Sequence, residues 1–262
     1  MNELLVEEDG PVLRAVMNRP DRLNALSPEL VEALRSLFVE LAWRTDVRVV
    51  VLEGAGRAFC AGLDLKGGTG MPESSPTEAL VAQRRISEIV IAMRRCPQPI
   101  VALVDGPAAG GGFALALASD IRLATPRTRM NAAFIRIGLS ACDIGVSYFL
   151  PRMVGASVAA DYMLTGRFLD AQTALRLGLV SELFAPEEIR AAGERFVAQM
   201  LAATPVGLRL TKEALNHAID AQGLEAAIAM EDRNQVIAAR DPDFAEGVAA
   251  FLEKRAPRWR GA

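Results

Sequence analysis

Three consecutive glycines, Gly110-Gly111-Gly112, stand between an apolar run, Ile100–Asp105, and an apolar helical pattern, Phe113–Ser119. Nothing else in the chain restricts its folding as tightly. Glycine has no Cβ, so another segment or a ligand can come close where the first N–H groups of a helix have no intrahelical acceptor. Such a helix start suits an anion. A phosphate loop would follow its glycines with Lys and then Ser or Thr, whereas Phe113, Ala114 and Leu115 follow here. The apolar flank fits an oxygen that turns negative only during a reaction, where each N–H donor is worth roughly 3 kcal/mol. Close packing of a helix against glycine is the plain structural alternative.

A second glycine-bearing turn, Glu53-Gly54-Ala55-Gly56-Arg57-Ala58-Phe59-Cys60-Ala61-Gly62-Leu63-Asp64-Leu65, follows the apolar run Val47–Glu53. It is not a dinucleotide fingerprint, because Phe59 occupies the third-glycine position and no helical pattern opens there. That argues against a nicotinamide oxidoreductase. Short runs rich in Val, Ile and Leu at Val12–Met17, Val47–Glu53, Ile100–Asp105, Ile121–Ala124 and Leu179–Leu183 alternate with helical patterns. The alternation predicts an α/β core with its strands buried on at least one face. Ser27 and Pro28 announce a helix whose apolar face is Leu30, Leu34, Leu37, Phe38 and Leu41. Asp170 opens a later helix that Gly178 closes. From residue 186 onward the pattern is helical throughout, over Pro186–Ala203, Pro205–Ala221, Gly223–Ala239 and a stretch opened by Asp241-Pro242. This tail either packs on its own core or meets a second subunit. The segment Gly67–Pro76 reads as a mobile loop, with a helix over Glu78–Arg95 behind it.

The 262 residues suit one large domain, or one domain with a modest appendage, needing neither disulfide nor metal for its core. With 29 Lys and Arg against 32 Asp and Glu, the net charge of −3 gives no basic excess for a nucleic-acid backbone. Cys60, Cys96 and Cys142 have no metal-ligand or disulfide spacing, which fits a reducing cytoplasm. Acidic Glu3, Glu7, Glu8 and Asp9 stand where a secretory signal needs basic and then apolar residues, so the mature protein is expected to begin here. Ile100–Ala118 is apolar enough to suggest a membrane span, but Asp105, Pro107 and the triple glycine interrupt it. The single histidine, His217, sits in a helical pattern with no nucleophile signature, and Gly145-Val146-Ser147-Tyr148-Phe149 lacks the second glycine of a hydrolase elbow. Covalent serine catalysis and a histidine-built zinc site are therefore not indicated.

The two turns, with Asn18-Arg19-Pro20, Asn24-Ala25-Leu26, Ala58–Leu65 and Ala250–Arg255, make the chain resemble the crotonase superfamily of enoyl-CoA hydratases and isomerases over nearly its whole length. The resemblance implies a spiral of ββα turns over 1–195 and a helical trimerisation region over 196–262, assembled as a homotrimer or a dimer of trimers. It also implies an acyl-CoA thioester as substrate, coenzyme A entering only as part of it, with no permanently bound cofactor and no metal. The thioester carbonyl oxygen would lie between the N–H groups of Leu63 and Gly111, so that the stabilised enolate makes the α-carbon acidic. Coenzyme A contacts carry over to the backbone around Ala61, including Asp64, to Arg22 and Lys66 for the phosphates, and to Phe251 and Lys254 from a neighbouring subunit. For Arg22 and Lys66 a solvated surface charge is the plain alternative, and the motif positions of Asp64 and Asp120 also read as structural.

The family's hydratases use two glutamates. Here the corresponding positions carry Ala114 and Phe134, neither of which can hold a proton. One carboxylate remains near the acyl pocket, Asp143 in Gly138-Leu139-Ser140-Ala141-Cys142-Asp143-Ile144-Gly145, one residue later than in a similar stretch of dienoyl-CoA isomerases and hydroxyisobutyryl-CoA hydrolases. A single carboxylate suffices to move a proton between α and γ carbons, which favours isomerase-like chemistry over two-glutamate hydration. Asp143 also has the position of an N-cap for a helix over Ile144–Arg152. Tyr148, Cys142 and Arg136 are further polar candidates. An acyl-CoA-binding protein without catalysis would need no acid at all, and Ala114 and Phe134 speak for it.

Overall fold

The computed structural model describes residues 2–66 and 75–260. The chain opens with β1 (Leu4–Asp9) and β2 (Val12–Met17), then α1 (Pro28–Leu41), β3 (Val49–Gly54) and α2 (Pro76–Arg95). It continues through β4 (Ile100–Val104), β5 (Pro107–Ala109), α3 (Gly111–Ala118), β6 (Ile121–Ala124) and β7 (Arg129–Asn131). Next come α4 (Val146–Val154), α5 (Ala156–Thr165), β8 (Leu169–Asp170), α6 (Ala171–Arg176) and β9 (Glu182–Leu183). Helices α7 (Ile189–Leu201), α8 (Pro205–Ala218), α9 (Leu224–Ala239) and α10 (Pro242–Glu253) complete the described elements.

Six strands form one sheet in the order β1-β2-β3-β4-β6-β9, and β5-β7-β8 form a smaller second sheet. The β1–β2 pair is antiparallel, and the other pairs of the large sheet are parallel. Strands β4 and β6 lie in the first sheet, and the strands that follow them, β5 and β7, lie in the second before the chain turns into a helix. These steps build the expected spiral of ββα units. Side chains alternate between strand faces, and both faces of the inner strands β3 and β4 are buried. Val50, Leu52, Ala102 and Val104 join a core with Leu34 and Phe38 of α1, Met93 of α2 and Phe113 of α3. Val49, Val51, Val101 and Leu103 join a second core with Ile189, Ala192 and Val197 of α7. Double-sided burial explains why the parallel strands read as continuous apolar runs in the sequence.

Local signals resolve as their chemistry requires. The Ser27 hydroxyl accepts from the Leu30 N–H at 3.1 Å, with Pro28 in the first turn of α1. Asp170 accepts from the Thr173 N–H at 2.8 Å and so caps α6, and Gly178 follows that helix at φ +71°. Helix α2 starts at Pro76, with Ser75 and Glu78 forming a capping box, slightly ahead of the expected Glu78. Residues 67–74 of the segment read as a mobile loop lie outside the described residues. The boundary expected at 195/196 falls inside α7.

Two expectations need correction. Helix α4 starts at Val146 rather than Ile144, because Ile144 (φ +35°) and Gly145 (φ +94°) have left-handed backbones that cannot continue into a right-handed helix. Strand β1 was absent from the sequence reading because it is an edge strand with only Leu4 buried. Its outward Glu7, Glu8 and Asp9 keep the open edge charged.

The two glycine turns are joined by backbone. Cys60 N–H donates to the Pro107 carbonyl at 3.1 Å, and Ala109 N–H donates to the Cys60 carbonyl at 3.0 Å. On the adjacent turn of α3, a Cβ at Gly112 would overlap the Cys60 carbonyl oxygen and carbon, both rigid backbone atoms. Gly112→Ala is therefore expected to lower stability by about 1–3 kcal/mol, as overpacking does, seen as a lower urea midpoint. An unchanged midpoint would show that the two turns move apart freely.

Candidate active site

The pairing of the two turns determines where their amides point. Leu26 N–H donates to the Gly62 carbonyl at 2.7 Å, and Asp64 N–H donates to the Leu26 carbonyl at 3.0 Å. Backbone polar groups of an extended segment alternate sides, so the intervening Leu63 N–H faces away from Leu26. A Cβ at Gly62 would stand 2.7 Å from the Ala109 carbonyl oxygen and 3.3 Å from the Gly111 nitrogen. That close approach, at φ +91°, requires glycine at position 62. Gly111 is the first residue of α3, whose N–H has no acceptor one turn earlier. Neither the Leu63 nor the Gly111 N–H donates to a protein group among the described residues. Both residues line one cavity of about 100 Å³.

Its walls are apolar apart from two side chains. Asp143 is the only ionisable side chain among the described lining residues, and Gln83 of α2 is its neighbour. The Asp143 Oδ1 accepts from Gln83 Nε2 at 2.7 Å and from the Ile144 N–H at 2.8 Å. Both donors use the same oxygen, which leaves Oδ2 without a protein donor among the described residues. Burial pushes the Asp143 carboxyl above the ordinary carboxylate range, opposed by the bonds from Ile144 and Gln83. The side chain does not cap α4, whose N-cap is Gly145 with no side-chain bond. Ile144 holds φ +35°, a conformation that costs a β-branched residue on the order of 1–3 kcal/mol. Its side chain lies in the cavity wall, with Cδ1 3.6 Å from where a Gly111 Cβ would stand.

A second groove, of about 420 Å³, lies between α1 and α2 and shares Leu26, Leu63 and Ile86 with the small cavity. Ala61 lines the small cavity, and Asp64 lines the groove. The buried Asp64 carboxylate pairs with Arg19 at 2.9 Å and Arg22 at 2.7 Å, and accepts from the Lys66 N–H at 3.1 Å. It thus ties the second glycine turn to the segment after β2. The Arg22 guanidinium is 42% exposed and already paired, whereas Lys66 is exposed. Phe251, 83% exposed, and Lys254, also exposed, lie at the end of α10 outside both cavities.

Ala114 is fully buried within α3, and the Phe134 ring packs 3.4 Å from where a Gly110 Cβ would stand, closing the small cavity. Tyr148, Cys142 and Arg136 do not line that cavity, and the Tyr148 hydroxyl donates to Asp220. Asp120 accepts from the Ile100 N–H at 2.8 Å and pairs with Arg94 and Lys212, a bracing arrangement. No cluster of three or more potential metal ligands occurs among the described residues, and none of their helices is long and apolar enough to cross a membrane. Sequence reasoning missed Gln83 and the wall position of Ile144. Gln83 lies 60 positions before Asp143 in a polar stretch of α2 with no motif to mark it.

The raised pKa of Asp143 makes its ionised form a local cost to the fold. Because the folded state holds the proton more tightly than the unfolded state, stability falls as pH rises through the window between the two values. Asp143→Asn removes that cost and keeps an acceptor for Gln83. The variant should melt above the parent near neutral pH, and the difference should vanish below the ordinary carboxylate range. Calorimetry from about pH 3, just below the unperturbed carboxyl value, up to neutral pH checks the crossover.

The family model for enoyl-CoA hydratase/isomerase matches residues 7–262. A protein named as a probable enoyl-CoA hydratase from Mycobacterium tuberculosis is 39% identical over 260 residues, covering 97% of this chain and 91% of that one. The 1,2-epoxyphenylacetyl-CoA isomerase of Escherichia coli is 31% identical over 262 residues, covering 100% of this chain and 99% of that one. The crystal structure of an enoyl-CoA hydratase from Bacillus anthracis superposes with a TM-score of 0.93 at 30% identity, covering 99% of this chain and all of the other.

Proposed function

The chain belongs to the enoyl-CoA hydratase/isomerase family, and we propose that it works on an acyl-CoA thioester as an isomerase-like enzyme using Leu63, Gly111 and Asp143. One observation carries this reading: two backbone donors and one carboxylate oxygen with no protein partner among the described residues line the same apolar cavity. The Leu63 and Gly111 N–H groups hold the thioester oxygen. Asp143 Oδ2 takes a proton from the α-carbon, and the electron pair moves through the carbonyl carbon onto that oxygen as the enolate forms. The two amides and the positive end of the α3 dipole stabilise the new charge, and the apolar surroundings strengthen their pull on it. For a β,γ-unsaturated ester the protonated Asp143 then returns the proton to the γ-carbon, giving the α,β-unsaturated ester with no water consumed. With Ala114 and Phe134 at the positions read as those of the family's two glutamates, the two-carboxylate activation of water has no groups to perform it.

Coenzyme A is substrate here, and no resident cofactor is needed. The nucleotide runs along the backbone at Ala61, with Lys66 and Arg22 as the cations for its phosphates. Asp64 acts by fixing Arg22 and the turn rather than by touching the nucleotide. Apolar residues left exposed on the C-terminal helices, Ile237, Phe244, Val248 and Leu252 among them, support a homotrimer or a dimer of trimers. In such an assembly Phe251 and Lys254 would approach a neighbouring chain's nucleotide.

A panel of enoyl-, dienoyl- and hydroxyacyl-CoA esters, scored for double-bond migration, hydration and hydrolysis, tests the reading. Double-bond migration is expected, with kcat falling about 10²–10⁴-fold in Asp143→Asn while KM stays near the parent value. Activity should also fall as pH drops through the raised Asp143 value, because the protonated carboxyl cannot accept the α-proton. Tight binding with no turnover across the panel would make the chain an acyl-CoA-binding protein instead.

A further inference from the structure

Behind the small cavity lies a groove of about 560 Å³ between α2, α4 and α8. Its apolar lining includes Val90 and Ile91 of α2 and Phe149 and Met153 of α4, and three arginines, Arg94, Arg95 and Arg152, also line it. Tyr148 and Arg152 of α4 both bond Asp220, just beyond α8, and so brace the side of the groove. Ile144 lines both this groove and the cavity of Leu63, Gly111 and Asp143, and no other described residue lines both. It is therefore the partition between them. The partition is held by an unusual backbone, φ +35° at a β-branched residue, whereas the neighbouring Gly145 takes φ +94° at no steric cost. A glycine at position 144 would accept the same backbone, so the sequence keeps a large side chain where a small one would be easier to fold.

The cavity on the donor side is about 100 Å³, smaller than the roughly 150 Å³ apolar cavity that just admits a benzene ring. We propose that Ile144 sets the length of the acyl group, closing the cavity to all but short chains, and that the groove behind it is an apolar subsite that a longer acyl chain reaches once the partition is removed. This rests on the coenzyme A thioester reading above and adds the acyl-length class to it. The three arginines are already paired, Arg94 with Asp120, Arg95 with Glu88 and Arg152 with Asp220, so the occupant that fits the aliphatic and aromatic walls is an unbranched hydrocarbon chain rather than a second anion.

The test uses unreactive S-butyl- and S-octyl-coenzyme A thioethers as probes, with binding measured by calorimetry on the full chain. Wild type should prefer the butyl probe. In Ile144→Ala and Ile144→Gly the ratio of octyl to butyl affinity should rise about tenfold or more, the scale at which apolar pockets discriminate by methylene count. The glycine variant relieves the strained backbone, so it guards against a folding failure of the alanine variant. Adding Ile91→Trp, which fills the groove from a position 41% exposed, should return the ratio to the wild-type value. An unchanged ratio in both single variants, or wild-type binding of the octyl probe as tight as in the variants, overturns the partition while leaving the thioester reading intact. No binding of either probe by wild type overturns the thioester reading, and the partition with it.

Discussion

The structure depends on one backbone-to-backbone contact. The segment 60–62 and the stretch leading into α3 approach so closely that the Cys60 carbonyl occupies the space where a side chain at Gly112 would begin, and a Cβ at Gly62 would stand 2.7 Å from the Ala109 carbonyl oxygen. No side chain intervenes, so the separation of the two turns is set by main-chain hydrogen bonds at 3.0 and 3.1 Å rather than by packing that could creep. Burial reinforces this. Phe59 and Cys60 are fully buried, and burial pushes the Cys60 thiol up to about 12, so it behaves as a small apolar group. That contact holds Leu63 and Gly111 on the wall of the cavity they both line.

The far ends of the helices are held by buried cations. Arg122 donates to the Leu179 carbonyl at 2.6 Å and to the Ala116 and Ser119 carbonyls at the C-terminal end of α3. Burial lowers its pKa to about 10, still far above neutrality, so the charge remains. A cation there complements the negative end of the helix dipole. Lys212 of α8 does the same for α2, donating to the Met93 carbonyl at 3.0 Å and the Gln98 carbonyl at 2.7 Å while pairing with Asp120 at 3.0 Å. Leaving either charge without its carbonyls would be costly in the interior. The helix that brings Gly111 to the cavity is thus fixed at its start by glycine contacts and at its end by an arginine. Helix α2, which brings Gln83, is moored to the C-terminal region through the same lysine.

Asp143 and Ile144 sit where a local rule is broken. A half-buried carboxylate with one free oxygen and a β-branched residue at positive φ both cost stability, and they are neighbours in one short loop before α4. The surrounding core, double-sided and dominated by Leu, Ala and Val, carries that cost. An apolar wall raises the proton affinity of the carboxylate, and the same wall would strengthen the pull of two amides on a developing oxyanion.

The sequence by itself determined the layering. Apolar runs of strand length, Ser27 and Asp170 as helix caps, and the long helical tail are local signals, and local chemistry resolved them nearly as read. The glycine turns were also legible, because the absence of a Cβ at 62 and 110–112 is a property of the residues themselves. What only the tertiary structure decided was who faces whom. Gln83 and Asp143 are 60 positions apart, and nothing in either segment encodes the bond between them. The bare edge strand β1 and the partition at Ile144 were hidden for a related reason. Exposure of a strand edge and the sharing of a wall between two cavities are relations among distant segments, fixed only when the sheet and helices close on one another.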